Sequence, residues 1–259
     1  MKICVLIKQV PDQTSVLKIN ADQTWINEDN LVFTTNESDN YALEEGLLLK
    51  EQHGGEVVVC TVGPERSTQV LKDALSKGAD RAVFLNDPTF ADVDIHGLAT
   101  VISKSLAGEN FDLVLTGLQA DDTGEAELGL MLAEALGLPH ITMVVHTDLS
   151  GNTIKVRQEL ESGWFQEAET ELPVLLTIQS GINKPRYASL RGIMGMKSKE
   201  IKQLGAADLG ISAADLPRHQ NIHKVYIPVK TKETTFIEGS AEEIAASLVQ
   251  KLADEAKVI

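Results

Sequence analysis

The sequence predicts an α/β fold with a doubly wound, mostly parallel sheet. Two observations predict it. Short aliphatic runs alternate with stretches whose apolar residues recur at helical spacing, and Gly, Pro or Asp stands at most of the junctions. Each run is apolar throughout rather than alternating, as in strands buried on both faces. Aromatics make up only 4% of the chain, so Val, Leu, Ile and Ala must fill the core.

In chain order, residues 3–7 form the first run and residues 57–62 the second. Between them Asp39 stands at a helix start, Leu43 and Leu47 share one face, and Gly54 with Gly55 stops the helix. Pro64 opens the next helix, which turns Val70, Leu71, Ala74 and Leu75 inward and ends at Gly78. A third strand at residues 82–85 precedes the stripe Ile95, Leu98, Ile102, Leu106. A fourth at residues 113–115 precedes the stripe Leu128, Leu132, Leu136, which Gly137 and Pro139 end. Residues 141–145 and 154–156, joined by a turn at 148–153, read as antiparallel pieces. A second turn at 161–163 follows, and residues 173–178 return to a buried strand. Beyond about Gly181 the core pattern weakens. Residues 205–217 read as a linker, 222–229 as a strand and 241–253 as a short amphipathic helix. The expected organisation is an α/β domain over residues 1–204 and a C-terminal arm over 205–259. The arm is too small to fold alone and must pack on its own domain or on another subunit.

Composition excludes several classes. A net charge of −15 argues against a nucleic-acid binder, which needs clustered Lys and Arg. It suits a partner with basic patches. No apolar run reaches the roughly 20 residues that cross a bilayer. The N-terminus lacks the pattern of a signal peptide and reads as a first strand, so a bacterial cytoplasm is expected. Cys4 and Cys60 fall in predicted strands and read as buried free thiols; two are too few for an iron–sulfur cluster, which takes about four.

Open α/β sheets bind ligands beyond the carboxyl ends of their strands. The most suggestive end here is Thr116-Gly117, followed by a loop over 118–124 that reads as opening a helix at Thr123 and Gly124. Free N–H groups at a helix start bind phosphate. Asp121, Asp122, Glu125 and Glu127 crowd the same turn and would repel a phosphate unless they face solvent. Neither GxGxxG after a strand nor GxxxxGK[ST] occurs, no G-x-S-x-G elbow is present, and the six histidines show no paired metal spacing. No catalytic residue and no metal ligand stands out.

The stretch 183–194, Asn-Lys-Pro-Arg-Tyr-Ala-Ser-Leu-Arg-Gly-Ile-Met, resembles the segment that marks β subunits of electron-transfer flavoproteins. Pro185, Arg186, Tyr187, Ser189, Leu190, Ile193, Met194, Lys197 and Lys199 fit that pattern. Tyr187, Leu190, Ile193 and Met194 are also a sizeable apolar set for a loop, which suggests a partner contact. Residues 2–12, 36–51, 78–81, 112–120, 157–163 and 172–177 resemble other stretches of the family in the same order. The likeness runs from residue 1 to about 210.

The resemblance implies an adenine-nucleotide-hydrolase-like, Rossmann-like fold and an obligate heterodimer with an α subunit that carries most of the FAD site. It implies AMP in this subunit, held by Leu6, Val62, the turn of Asn36, Glu37, Ser38 and Asp39, and the segment from Gly117 to Leu128. That segment comprises Gly117, Leu118, Gln119, Ala120, Asp121, Asp122, Thr123, Gly124, Glu125, Ala126, Glu127 and Leu128. In electron-bifurcating members a second FAD takes the place of AMP. Glu127 stands where the family often has Gln, and Leu128 where it has Val or Thr. The docking loop, residues 183–196, implies that Leu190 anchors a dehydrogenase of the acyl-CoA type, with Tyr187, Ile193, Met194 and Glu159 at the same interface. Electrons would pass on to a membrane quinone reductase or another acceptor, without membrane insertion of this chain. Two other classes are a nucleotide-binding regulatory module, which leaves the apolar loop unexplained, and a ligase or pyrophosphatase, which would need a cationic phosphate loop or metal ligands.

Overall fold

The computed structural model describes residues 1–259 except Asp92, Lys230 and Glu233. Its main sheet has nine strands in the order β11-β5-β4-β1-β6-β10-β7-β8-β9. The elements that build it are β1 (Lys2–Leu6), α1 (Glu37–His53), β4 (Glu56–Val62), α2 (Thr68–Lys77), β5 (Arg81–Leu85), α3 (Ile95–Leu106), β6 (Leu113–Gly117) and α4 (Leu128–Leu136). They continue with β7 (His140–Ser150), β8 (Thr153–Glu159), β9 (Phe165–Glu171), β10 (Val174–Ile178), α5 (Leu190–Gly195), β11 (Ile201–Leu204) and α6 (Ala241–Asp254). A small antiparallel pair, β2 (Gln9–Pro11) with β3 (Phe33–Thr35), brackets an excursion of the chain between them.

The strands β5, β4, β1, β6 and β10 run parallel, as their unbroken apolar runs predict, and β11 adds a parallel edge strand beside β5. Successive strands move from β1 to β4 and β5 on one side, then return to β6 on the other. The order therefore reverses between β1 and β6, and a crevice opens beyond their carboxyl ends. β7 starts parallel to β10 and ends antiparallel to β8. A register shift between Val144 and His146, beside Met143 at φ 54°, marks the bend that makes the change.

The core has two layers. Leu43 and Leu47 of α1 and Val70, Leu71, Ala74 and Leu75 of α2 pack on one face of the sheet with Ile3, Val5, Val57 and Leu115. Val101, Ile102 and Leu106 of α3 and Leu132 and Ala133 of α4 pack on the other with Cys4, Val58 and Val114. Each fully buried Leu or Ile contributes about 1.5–3 kcal/mol. Burial pushes the Cys60 thiol up to about 12, which leaves it inert.

Three expectations change. Asn36, not Asp39, occupies the N-cap position of α1, although its side chain caps nothing there; Asp39 is buried in the first turn. The weakly patterned region contains α5 and β11, the latter an edge strand parallel to β5. Among the described residues the stretch 222–229 forms no strand; its Val225 N–H donates to the Gln23 carbonyl. Past residue 204 the chain still touches the domain: Ala206 and Ile211 are buried in the second layer, and Asp94 accepts the His219 and Gln220 N–H groups.

Candidate functional site: a nucleotide crevice and an apolar segment

The crevice is built by the first turn of α1 and the loop after β6. Asn36 leaves the helix N–H groups uncapped and turns its side chain across the crevice. Its Nδ2 donates to the Gln119 carbonyl at 2.8 Å and to Ser38 Oγ at 3.0 Å, while its Oδ1 accepts the Asp121 N–H at 2.9 Å. Ser38 Oγ donates to the same Gln119 carbonyl at 2.8 Å. Beneath them Asp39 bridges the two central strands: it accepts the Lys8 N–H at 2.7 Å and the Gly117 N–H at 3.0 Å. Burial pushes its carboxyl up to about 7, against the Lys8 and Gly117 N–H groups, the Asn36 amide and the Lys8 charge, all of which favour the ionised form.

The acidic loop does not serve the helix that follows it. Asp121 accepts the Glu37 N–H at 3.2 Å, at the start of α1, and so complements that helix dipole. Asp122 pairs with Lys8 Nζ at 2.6 Å. Glu125 and Glu127 are exposed. The expected helix start at Thr123 and Gly124 lies four residues too early. Gly124 at φ 66° and Ala126 at φ 56° hold the chain out of helical geometry, and α4 begins at Leu128. A non-glycine residue at such a φ stores strain that functional loops often carry. The first turn of α4 has no side-chain cap and no acidic residue. Its free N–H groups fit a phosphate. Leu6 is buried at the end of β1, and Val62 is half-buried at the end of β4.

A second feature lies outside the crevice. Tyr187 is 94% exposed, Leu190 82% and Met194 76%, with Ile193 also exposed, on and around the short helix α5. Ser189 caps α5 by accepting the Gly192 N–H at 3.0 Å. Glu159, at the end of β8, accepts Gln179 Nε2 at 3.1 Å.

A family model described as the electron transfer flavoprotein domain matches residues 23–209, more than half of the 259-residue chain. The chain belongs to the electron transfer flavoprotein family. It is 38% identical over 257 residues to electron transfer flavoprotein subunit beta of Methylophilus methylotrophus, covering 96% of this chain and 97% of that protein. It is 34% identical over 261 residues to the subunit of the same name from Bacillus subtilis, with both chains fully covered. It is 31% identical over 261 residues to the caffeyl-CoA reductase–Etf complex subunit CarD of Acetobacterium woodii, covering 98% of this chain and 99% of that one. Electron transport by a flavoprotein is thus the setting of this chain. Among the described residues no helix is long and apolar enough to cross a membrane.

The structure brings the Asn36–Asp39 turn and the Gly117–Asp122 loop into direct contact. It sets the apolar segment apart from them, tied to Glu44 of α1 through Arg186 and packed beside α2. Sequence reasoning missed Lys8 as the partner of Asp122. The available signal was a lysine at the end of a buried strand, with an acidic loop as its natural counter-charge.

Proposed function

We propose that this chain is the β subunit of a heterodimeric electron-transfer flavoprotein, an electron carrier rather than an enzyme. It holds AMP in the crevice and docks flavin dehydrogenases of the acyl-CoA type through Leu190. The FAD, borne mainly by the partner α subunit, supplies the redox chemistry; this chain binds, orients and docks. Electrons pass from the dehydrogenase to a membrane quinone reductase or another acceptor.

The observation that carries this reading is the exposed apolar set Tyr187, Leu190, Ile193 and Met194 in a chain of this family. An apolar group of this size displayed on a short helix marks a protein contact. Neighbouring Arg191 and Lys197 are exposed and give it a basic fringe, while Lys199 turns its ammonium onto the Leu75 and Ala79 carbonyls. Further along, Ile222, Tyr226, Ile227, Val229 and Leu248 are exposed, which supports an arm that covers the α subunit.

The test is Leu190→Ala in the purified heterodimer. Burying a Leu contributes about 1.5–3 kcal/mol, so docking should weaken about ten- to a hundredfold. The variant should assemble, keep its flavin and be reduced more slowly by its dehydrogenase. Loss of flavin or of assembly would mean that Leu190 serves the fold and not docking. Glu159 belongs to the same reading: its substitution should change orientation and electron-transfer rate more than folding.

The relation to CarD favours a second reading, in which a second FAD occupies the crevice in an electron-bifurcating assembly. The short acidic loop suits a mononucleotide better.

A further inference from the structure

We infer that Glu44 and Arg186 form a positioning pair that presets the apolar segment for docking. This rests on the docking reading above. Helix α1 turns two consecutive glutamates, Glu44 and Glu45, into buried positions. Neither touches the crevice; both grip the chain that leads to Tyr187. The Glu44 carboxylate accepts the Arg186 backbone N–H at 3.0 Å, its Nε at 2.9 Å and its Nη2 at 2.9 Å. Nη1 of the same guanidinium bonds Glu51, seven residues further along α1. Glu45 accepts Asn183 Nδ2 at 2.9 Å and the Thr147 hydroxyl. Asn183 Nδ2 also donates to the Tyr41 carbonyl at 3.0 Å.

The grip stops abruptly. Tyr187, the next residue, is almost fully exposed, and Leu190 follows three positions later. The segment thus displays its apolar side chains from a base held by directional bonds. Past Leu190 the backbone rests on the end of α2: a Cβ added at Gly192 would lie 2.0 Å from the Ser76 carbonyl oxygen. A buried ion pair is a weak source of stability compared with an apolar contact. A guanidinium fork on a carboxylate does fix one orientation, which an apolar contact or a lysine does not. Docking by an exposed segment costs less when the segment is already ordered.

The experiment compares Arg186→Lys, Glu44→Gln and Leu190→Ala in the purified heterodimer. The electron donor is an acyl-CoA dehydrogenase of the source cells, reduced with its own acyl-CoA. If the pair holds the segment in its docking geometry and loosening leaves about one molecule in ten competent, the KM for the carrier rises about tenfold. Both positioning variants should show that rise with kcat, flavin content and absorption spectrum unchanged. Amide exchange over residues 187–194 should quicken in both. If Leu190→Ala raises KM while neither positioning variant alters KM or exchange, the inference is overturned and docking stands. If Leu190→Ala has no effect on KM, the docking reading falls and the inference with it. If both positioning variants lose the partner subunit or its flavin, the pair serves assembly and the inference is wrong.

Discussion

Gly117 lies where β6 enters the crevice, and a Cβ there would sit 2.3 Å from both Asp39 Oδ1 and Ser38 Oγ. Its φ is not the constraint; the close approach of α1 is. Gly117→Ala must push the first turn of α1 away and break the Gly117–Asp39 bond. A cost of about 1–3 kcal/mol is expected, typical of forced overpacking. Thermal unfolding and bound-nucleotide content should both fall; an unchanged melting point would mean that the turn is not held there. Asp39 gives a pH signature. Burial pushes its carboxyl, which is held by Lys8, Asn36 and Gly117, up to about 7 from the ordinary value of 3.8. Between those values the folded chain holds a proton that the unfolded chain has released. The unfolded state binds fewer protons, so this group makes stability fall as pH rises through that window. The loss is complete above about 7. The melting point of the wild type relative to Asp39→Asn should therefore fall from about pH 4 to about pH 8. A difference that stays flat or grows would show that the three donors hold Asp39 ionised throughout.

Helices α1 and α4 carry the site in different ways. The long helix α1 spends its first turn on the crevice and its later turns on the apolar segment. The short helix α4 offers an open first turn. The parallel strands and the four main helices were legible because each carries a continuous apolar run or stripe, such as Val57 to Val62 or Ile95 to Leu106. The edge strand β11 was not, because only Ile201 and Leu204 turn inward and the pairing with β5 supplies the rest. The α4 start was misplaced because Ala126 adopts a backbone conformation that no composition signal announces. The loop from Gly117 was legible as a strand end that leads to a helix, and the Asn36–Asp39 turn only through resemblance; Glu44 and Glu45 lie in the resembling stretch 36–51, but nothing marked them as buried, because charge on a helix reads as solvent-facing. A prediction at this scale concerns the arm. Its helix α6 has a capping box, Ser240 with Glu243, yet Leu248 and Val249 face solvent. Removing residues 222–259 should leave the crevice domain folded by circular dichroism and abolish heterodimer formation in gel filtration. A truncated chain that still binds the α subunit normally would contradict that role.

At the scale of the whole molecule, the proposed function rests on two surfaces, the crevice and the apolar segment. Among the described residues no cluster of three His, Cys, Asp or Glu side chains is placed to hold a metal. Acidic charge is spread over the surface, with a net −15, which favours encounter with basic partners and makes association rates fall with salt. The crevice between β1 and β6 is stitched by bonds that cross from α1 to the loop, so a nucleotide there would tie the halves of the sheet together. The central claim is that this chain is the nucleotide-bearing, non-flavin half of an electron carrier. Denaturing release of ligands from the purified heterodimer, with FAD and AMP counted separately, tests it most directly. The account predicts one FAD and one AMP per heterodimer, with AMP retained when the β subunit is isolated. Absence of any adenine nucleotide from the isolated subunit would contradict it.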